Sequence, residues 1–236
     1  SSDLPHILDG FPLYLRDIRV YVDRSHFMVD PTSCDTMAVT STLGGSGANP
    51  FESGDDTTAT SSQRYQLLDC GALGFRPRFK LRLRGGTRRG QFPSLRAELR
   101  PREGDANIGS AKVTLPASEF LEQRHIRRIC TRGQFTEESC PAGSVYGSAR
   151  ATTPLLTQPL EGPVYLRSSR GRKLPELVAD LHGGGFGLRT EVVGRIDSVH
   201  GGLRATFETA PDAPVSRFVM SLKGGKRGLL VNSENL

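Results

Sequence analysis

The chain has 236 residues, 36% of them hydrophobic and 24% charged, with 27 glycines and 15 prolines. At about 150 residues per domain this is one large domain or two small ones, and the composition excludes a membrane span, a fibrous repeat and a wholly disordered chain. The 31 Lys and Arg against 25 Asp and Glu leave a formal net charge of +6. That balance admits acidic partners, but without a polybasic tail it does not point to nucleic acid.

In chain order, the recurrent signal is apolar alternation with a period of two, over short runs bounded by Gly, Pro, Asn or Asp. Ile18, Val20 and Val22 make the first such run. Residues 43–62 are rich in Gly, Ser, Thr and Asp and read as a long exposed loop. From Phe75 to Arg84 the odd positions Phe75, Pro77, Phe79, Leu81 and Leu83 are apolar, and the even positions Arg76, Arg78, Lys80, Arg82 and Arg84 are cationic. This is a strand with one dry and one wet face. After a turn at Gly85, Gly86 and Gly90, Leu95, Ala97 and Leu99 alternate with Arg96, Glu98, Arg100 and Arg102, completing a hairpin. Residues 102–110 interrupt the alternation and mark a boundary.

Further strands are expected at Ala111, Val113 and Leu115, at Val164 and Leu166, at Leu203, Ala205 and Phe207, and at Phe218, Met220 and Leu222. One short helix is expected to begin near Ser118 and end by His125. The pattern predicts an all-β protein of two linked antiparallel β-sandwich domains, immunoglobulin-like, spanning 1–106 and 107–236.

The four cysteines contain no C-x-x-C pair, so zinc and thioredoxin-type spacings are missing. Pairing Cys34 with Cys70 and Cys130 with Cys140 closes two local loops, worth about 4 and about 3 kcal/mol of chain entropy. Two disulfides imply an oxidising, extracellular or cell-surface setting. The chain starts at Ser1 without an apolar leader, as a mature secreted protein or an excised fragment would.

No motif identifies an enzyme. His182-Gly183-Gly184-Gly185 matches an oxyanion-hole string, but no G-x-S-x-G elbow accompanies it, and Gly143-Ser144-Val145-Tyr146-Gly147 puts the serine in the wrong place. The string reads instead as a hairpin loop between a strand ending at Leu181 and one starting near Leu188. His6, His26, His125 and His200 have no metal-ligand spacing. Glu52, Asp55 and Asp56 lack the ligand order of a calcium loop. No metal, nucleotide or other cofactor is expected.

The most specific surface feature is the cationic strand face of Arg76, Arg78, Lys80, Arg82 and Arg84, flanked by Arg96 and Arg100. Alternate residues on a strand stand about 6.8 Å apart, so this line could track an acidic cell-wall glycan.

A gapless shift of 202 residues aligns Pro12 with Pro214, Ile18 with Met220, Val20 with Leu222, and Phe27-Met28-Val29-Asp30 with Leu229-Leu230-Val231-Asn232. Similar hairpins thus open and close the chain, as in a window cut across tandem units.

Several segments carry a resemblance: Ile18-Arg-Val-Tyr-Val-Asp-Arg24 leading to Asp30-Pro-Thr-Ser-Cys34, Ala111-Lys-Val-Thr-Leu-Pro116, Cys140-Pro-Ala-Gly-Ser-Val-Tyr-Gly147, Pro159-Leu-Glu-Gly-Pro-Val-Tyr-Leu-Arg167 and Gly224-Gly-Lys-Arg-Gly-Leu-Leu-Val-Asn-Ser233. Together they make the chain similar to stretches of large secreted multi-repeat proteins of high-GC Gram-positive bacteria, a group without an assigned activity. The resemblance implies no catalytic residues. In that group a cysteine usually follows the asparagine-serine string, and its lack here reads as a trimmed end or a fragment.

The resulting expectation is a non-enzymatic structural or adhesive module joined to copies of itself or to neighbouring repeats by β-strand addition, through Ile18, Val20, Val22, Phe218, Met220 and Leu222. The alternative is a module binding anionic glycan through its arginine face.

Overall fold

The computed structural model describes residues 7–13, 17–23, 28–45, 57–185, 187–199, 201–208 and 212–235. The strands are β1 (Ile7–Leu8), β2 (Phe11–Pro12), β3 (Met37–Gly45), β4 (Thr57–Tyr65), β5 (Arg78–Arg84), β6 (Ser94–Arg100), β7 (Ala111–Thr114) and β8 (Glu119–Leu121). They continue as β9 (Val145–Thr152), β10 (Leu160–Arg167), β11 (Glu176–Gly183), β12 (Leu188–Val199), β13 (Gly202–Phe207), β14 (Arg217–Leu222) and β15 (Leu230–Asn232). The one α-helix among the described residues is α1 (Arg132–Thr136). The chain divides into two compact units, Ser1–Cys70 and Gly71–Leu236.

In the second unit, nine antiparallel strands form one curled sheet in the order β5-β6-β14-β9-β10-β11-β12-β13-β7. The mostly-β character follows the alternation. In place of two immunoglobulin-like sandwiches, however, this single sheet buries the core within its own curl. Cross-strand register shows how. A transverse row reads Leu83, Leu95, Leu222, Gly147, Val164, Ala179 and Val192, apolar throughout, because the period of two puts every dry position on one face.

Leu81 near one edge and Val113 near the other line the same apolar cavity of about 90 Å³, with Leu121 and Leu230. These last two belong to the separate β8-β15 pair. Tight coiling needs small residues where backbones meet. A Cβ on Gly162 would lie 1.7 Å from Asp180 O, and one on Gly147 2.2 Å from Ser221 O. The β9-β10 register shifts nearby, between Val164 and Tyr165.

This topology corrects several expectations. β5 and β6 join the same sheet as β9 to β14, so the unit begins at Gly71 and no boundary falls at 102–110. β14 lies between β6 and β9, so Phe218, Met220 and Leu222 face the core and offer no free edge. The helix expected from Ser118 is β8, held by β15, followed by a short 3₁₀ turn at Gln123–His125. The glycines after His182 form the expected β11-β12 turn.

In the first unit, β1 pairs with β2, and β3 pairs with β4 over the whole of both strands, Met37 opposite Tyr65 and Gly45 opposite Thr57. Much of the expected loop at 43–62 is therefore the far end of a hairpin; residues 46–56, including Glu52, Asp55 and Asp56, lie outside the described residues. The Cys34–Cys70 disulfide closes this unit, and Cys130–Cys140 forms in the second. No described residue of the first unit is buried. Residues 17–23 carry no strand, so the likeness between the ends of the chain does not extend to their structure: of the matching residues 219–225, the first four lie in the central strand β14.

Candidate polyanion-binding face

The outer face of the nine-stranded sheet has two contrasting halves. Over β10 to β12, the Cys130–Cys140 loop lays Phe135 against Val178, Tyr165 and Val193. Thr131 and Gln134 close a reciprocal capping box on α1, satisfying the first-turn amides of this short helix. The guanidinium groups of Arg167 and Arg189 lie 4.7 and 5.2 Å from the centre of the Phe135 ring. Each is neutralised there: Arg167 binds Glu176 and Glu191 at 3.1 Å, and Arg189 binds Asp180 at 2.8 Å. Arg132 also reaches Glu176, at 2.9 Å. This half is a closed, charge-balanced cover.

Over β5, β6, β14 and β9 the face is open. One outer row reads Arg82, Arg96, Ser221, Ser148 and Pro163, and the next Lys80, Glu98, Val219, Arg150 and Glu161. At about 4.8 Å between strands, each row spans about 19 Å. Small side chains at Ser221, Ser148 and Pro163 leave an open trough of about 1070 Å³, rimmed by Arg96, Arg150, Arg217 and Lys223. A second groove of about 300 Å³ runs between Arg78, Lys80, Arg82 and Arg84 of β5 and Arg96 and Arg100 of β6, sharing Arg96 with the trough.

Both carboxylates on this half are already engaged. Glu98 accepts from Arg217 Nε at 3.0 Å and pairs with Arg100; the Arg217 hydrogen bond, aided by Arg100, holds its carboxyl below the ordinary range. Glu161 pairs with Arg150 at 2.7 Å. Arg96 donates to Ser221 Oγ at 3.3 Å. Lys223 donates to Val145 O at 3.0 Å, and burial, then Arg227, pushes its ammonium down from the ordinary lysine range. Among the described residues, Arg78, Lys80, Arg82 and Arg84 have no acidic partner. The half as a whole carries unneutralised positive charge over a hydroxyl-lined floor, an arrangement that attracts polyanions.

The structure thus brings Arg78, Lys80, Arg82, Arg84, Arg96 and Arg100 together as the alternation implied. Arg76 is different: its backbone amide, with that of Arg102, donates to the Asp105 carboxylate at 3.2 and 3.0 Å, pinning a turn before β5. Arg150, Arg217, Ser148, Ser221 and Lys223 were not anticipated. The outer parity of β9 and β14 is the signal that finds them, once Phe218, Met220 and Leu222 are taken as inward and Arg217, Val219 and Ser221 as outward.

His182 Nε2 sits 3.1 Å from Asp180 Oδ1, and His125 Nδ1 lies 2.9 Å from Gly228 O. Among the described residues neither histidine is hydrogen-bonded to a serine. His6, His26 and His200 lie outside the described residues, and among those described no cluster of His, Cys, Asp and Glu could hold a metal ion. No described helix is long and apolar enough to cross a membrane. No protein-family model, curated protein or solved structure matches the chain.

Proposed function

We propose that this protein is a non-enzymatic, extracellular module that binds an anionic polymer, such as an acidic cell-wall glycan, across the open outer half of its sheet. The observation that carries this reading is the asymmetry of the face. Arginines over β10 to β12 are neutralised in place, while those of β5 project unpaired beside a trough wide enough for an extended chain. Two disulfides support an oxidising setting.

The test is binding of poly(glycerol phosphate) and of polygalacturonate, with neutral dextran as control, across a salt series. Binding of at least one polyanion is expected, weakening steeply as salt shortens the Debye length to a few ångströms. Reversing charge with Arg82→Glu and Arg96→Glu is expected to weaken it by about tenfold or more, about 1.4 kcal/mol. Equal binding of dextran, or binding indifferent to salt, contradicts the reading. A structural or adhesive role in an assembly is the second reading, favoured by the unpaired, strand-like segment at residues 17–23.

A further inference from the structure

Residues 17–23, Asp-Ile-Arg-Val-Tyr-Val-Asp, have the alternation of a strand but no strand partner among the described residues. Ile18, Val20 and Val22 are 54%, 80% and 52% exposed. A β-branched run of this kind is stable as a strand only when its backbone groups and one face are covered. β5 has the converse defect. It ends the nine-stranded sheet, pairs with β6 on one side only, and leaves Phe79 47% exposed.

We propose that residues 17–23 of one copy of this chain add as a strand to the β5 edge of a second copy. The match is one of length, face and charge. In an antiparallel register centred on Val20 opposite Leu81, Ile18 meets Leu83 and Val22 meets Phe79, extending the dry face by one strand. On the wet face Asp17 meets Arg84, Asp23 meets Arg78, and the Tyr21 ring lies beside Lys80. Opposite charges across a strand pair stabilise it, and aromatic and β-branched neighbours add to that.

Arg19 opposite Arg82 is the single like-charge pair, and Asp17 already holds Arg19 at 2.8 Å. The same four cations of β5 repel a second β5, so the edge is closed to its own kind and open to a strand with acidic ends. β7, the opposite edge, has only four residues, and Lys112 is its sole charge. Antiparallel addition continues the pairing found throughout this sheet. Strand addition uses the backbone of β5 and shares Arg78, Lys80 and Arg84 with the polymer-binding face, while the trough over β14 and β9 lies outside it.

The test is a photo-crosslinking amino acid at position 21 of the full chain, in a mixture of ¹⁴N and ¹⁵N copies. Crosslinks to residues 78–84 that join light to heavy copies are the expected result. Crosslinks to 78–84 within one copy, crosslinks elsewhere, or a monomer by light scattering at about 1 mM, where even a weak Kd would show, overturn the proposal.

Val20→Pro removes a ladder donor in a segment with no strand partner, so the fold is expected to survive. It should lower self-association by about tenfold or more without weakening polyanion binding. Undiminished association overturns strand addition and leaves the polymer reading standing. Loss of polymer binding by Arg96→Glu with crosslinking retained is the reverse case.

Discussion

Glu119 sits directly opposite Asn232 in the β8-β15 pair, and its side chain is fully buried. Neither carboxyl oxygen has a hydrogen-bond partner among the described residues, and Asn232 Oδ1 is equally bare, because Asn232 Nδ2 donates to Gly86 O at 2.6 Å and Arg88 O at 3.3 Å. A buried charge in this position would be unpaired and costly, whereas a protonated carboxyl can donate to the facing amide oxygen. Burial accordingly pushes the Glu119 carboxyl up from its ordinary 4.5. The stability linked to Glu119 is complete below that ordinary value and is lost as pH rises through the elevated one.

Glu122, three residues on, has the opposite sign: the Arg124 guanidinium lowers it to about 2. Its contribution is present above 4.5 and is lost as pH falls through about 2. Thermal melts of Glu119→Gln across pH are expected to remove the decline that the wild type shows as pH rises above 4.5, while keeping the acid limb due to Glu122. The same decline in wild type and Glu119→Gln contradicts this assignment.

At the scale of elements, the two units differ in what holds their strands. β10 and β11 lie inside the nine-stranded sheet with Val164, Leu166, Leu177 and Ala179 buried. β3 and β4 form an isolated ribbon without a buried residue, and a two-stranded ribbon on its own is marginal in water. Hydrogen exchange is therefore expected to be slowest in β10 and β11 and fast in β3 and β4, even with Cys34–Cys70 intact. Protection of the ribbon equal to that of β10 would show a cover that the exposure of Val39 and Leu43 does not indicate.

The same contrast explains what could be read in advance. β5 and β6 were legible because every odd residue of the first is apolar and every even one cationic, a pattern only a strand with one wet face uses. β3 and β4, built from Ser, Thr, Ala and Gly, have no apolar alternation and so resemble a loop. The interior position of β14 was illegible for another reason. Phe218, Met220 and Leu222 alternate in the same way whether a strand has one neighbour or two, and pairing with β6 and β9 joins residues 65 or more positions apart. The cysteine pairs were legible because both are local.

At the scale of the molecule, the curl puts apolar side chains inside and leaves the outer face to be covered or charged. The disulfide-bound loop covers one half. On the other, the arginines on β5 and β6 meet those of β14 and β9 only through the non-sequential strand order, which periodicity does not encode. The proposed polymer binding therefore depends on where the arginines stand, not on net charge.

The most direct test is arginine-selective labelling with phenylglyoxal, mapped by mass spectrometry with and without a bound polyanion. Protection confined to Arg78, Arg82, Arg84, Arg96, Arg150 and Arg217, with Arg172 and Arg195 labelled equally in both states, is the expected result. Arg195, on β12 beside Glu176, lies in the covered half of the outer face, Arg172 lies in the β10-β11 loop, and both are paired with Asp197. Protection spread evenly over all arginines, or centred on Arg172 and Arg195, contradicts the account.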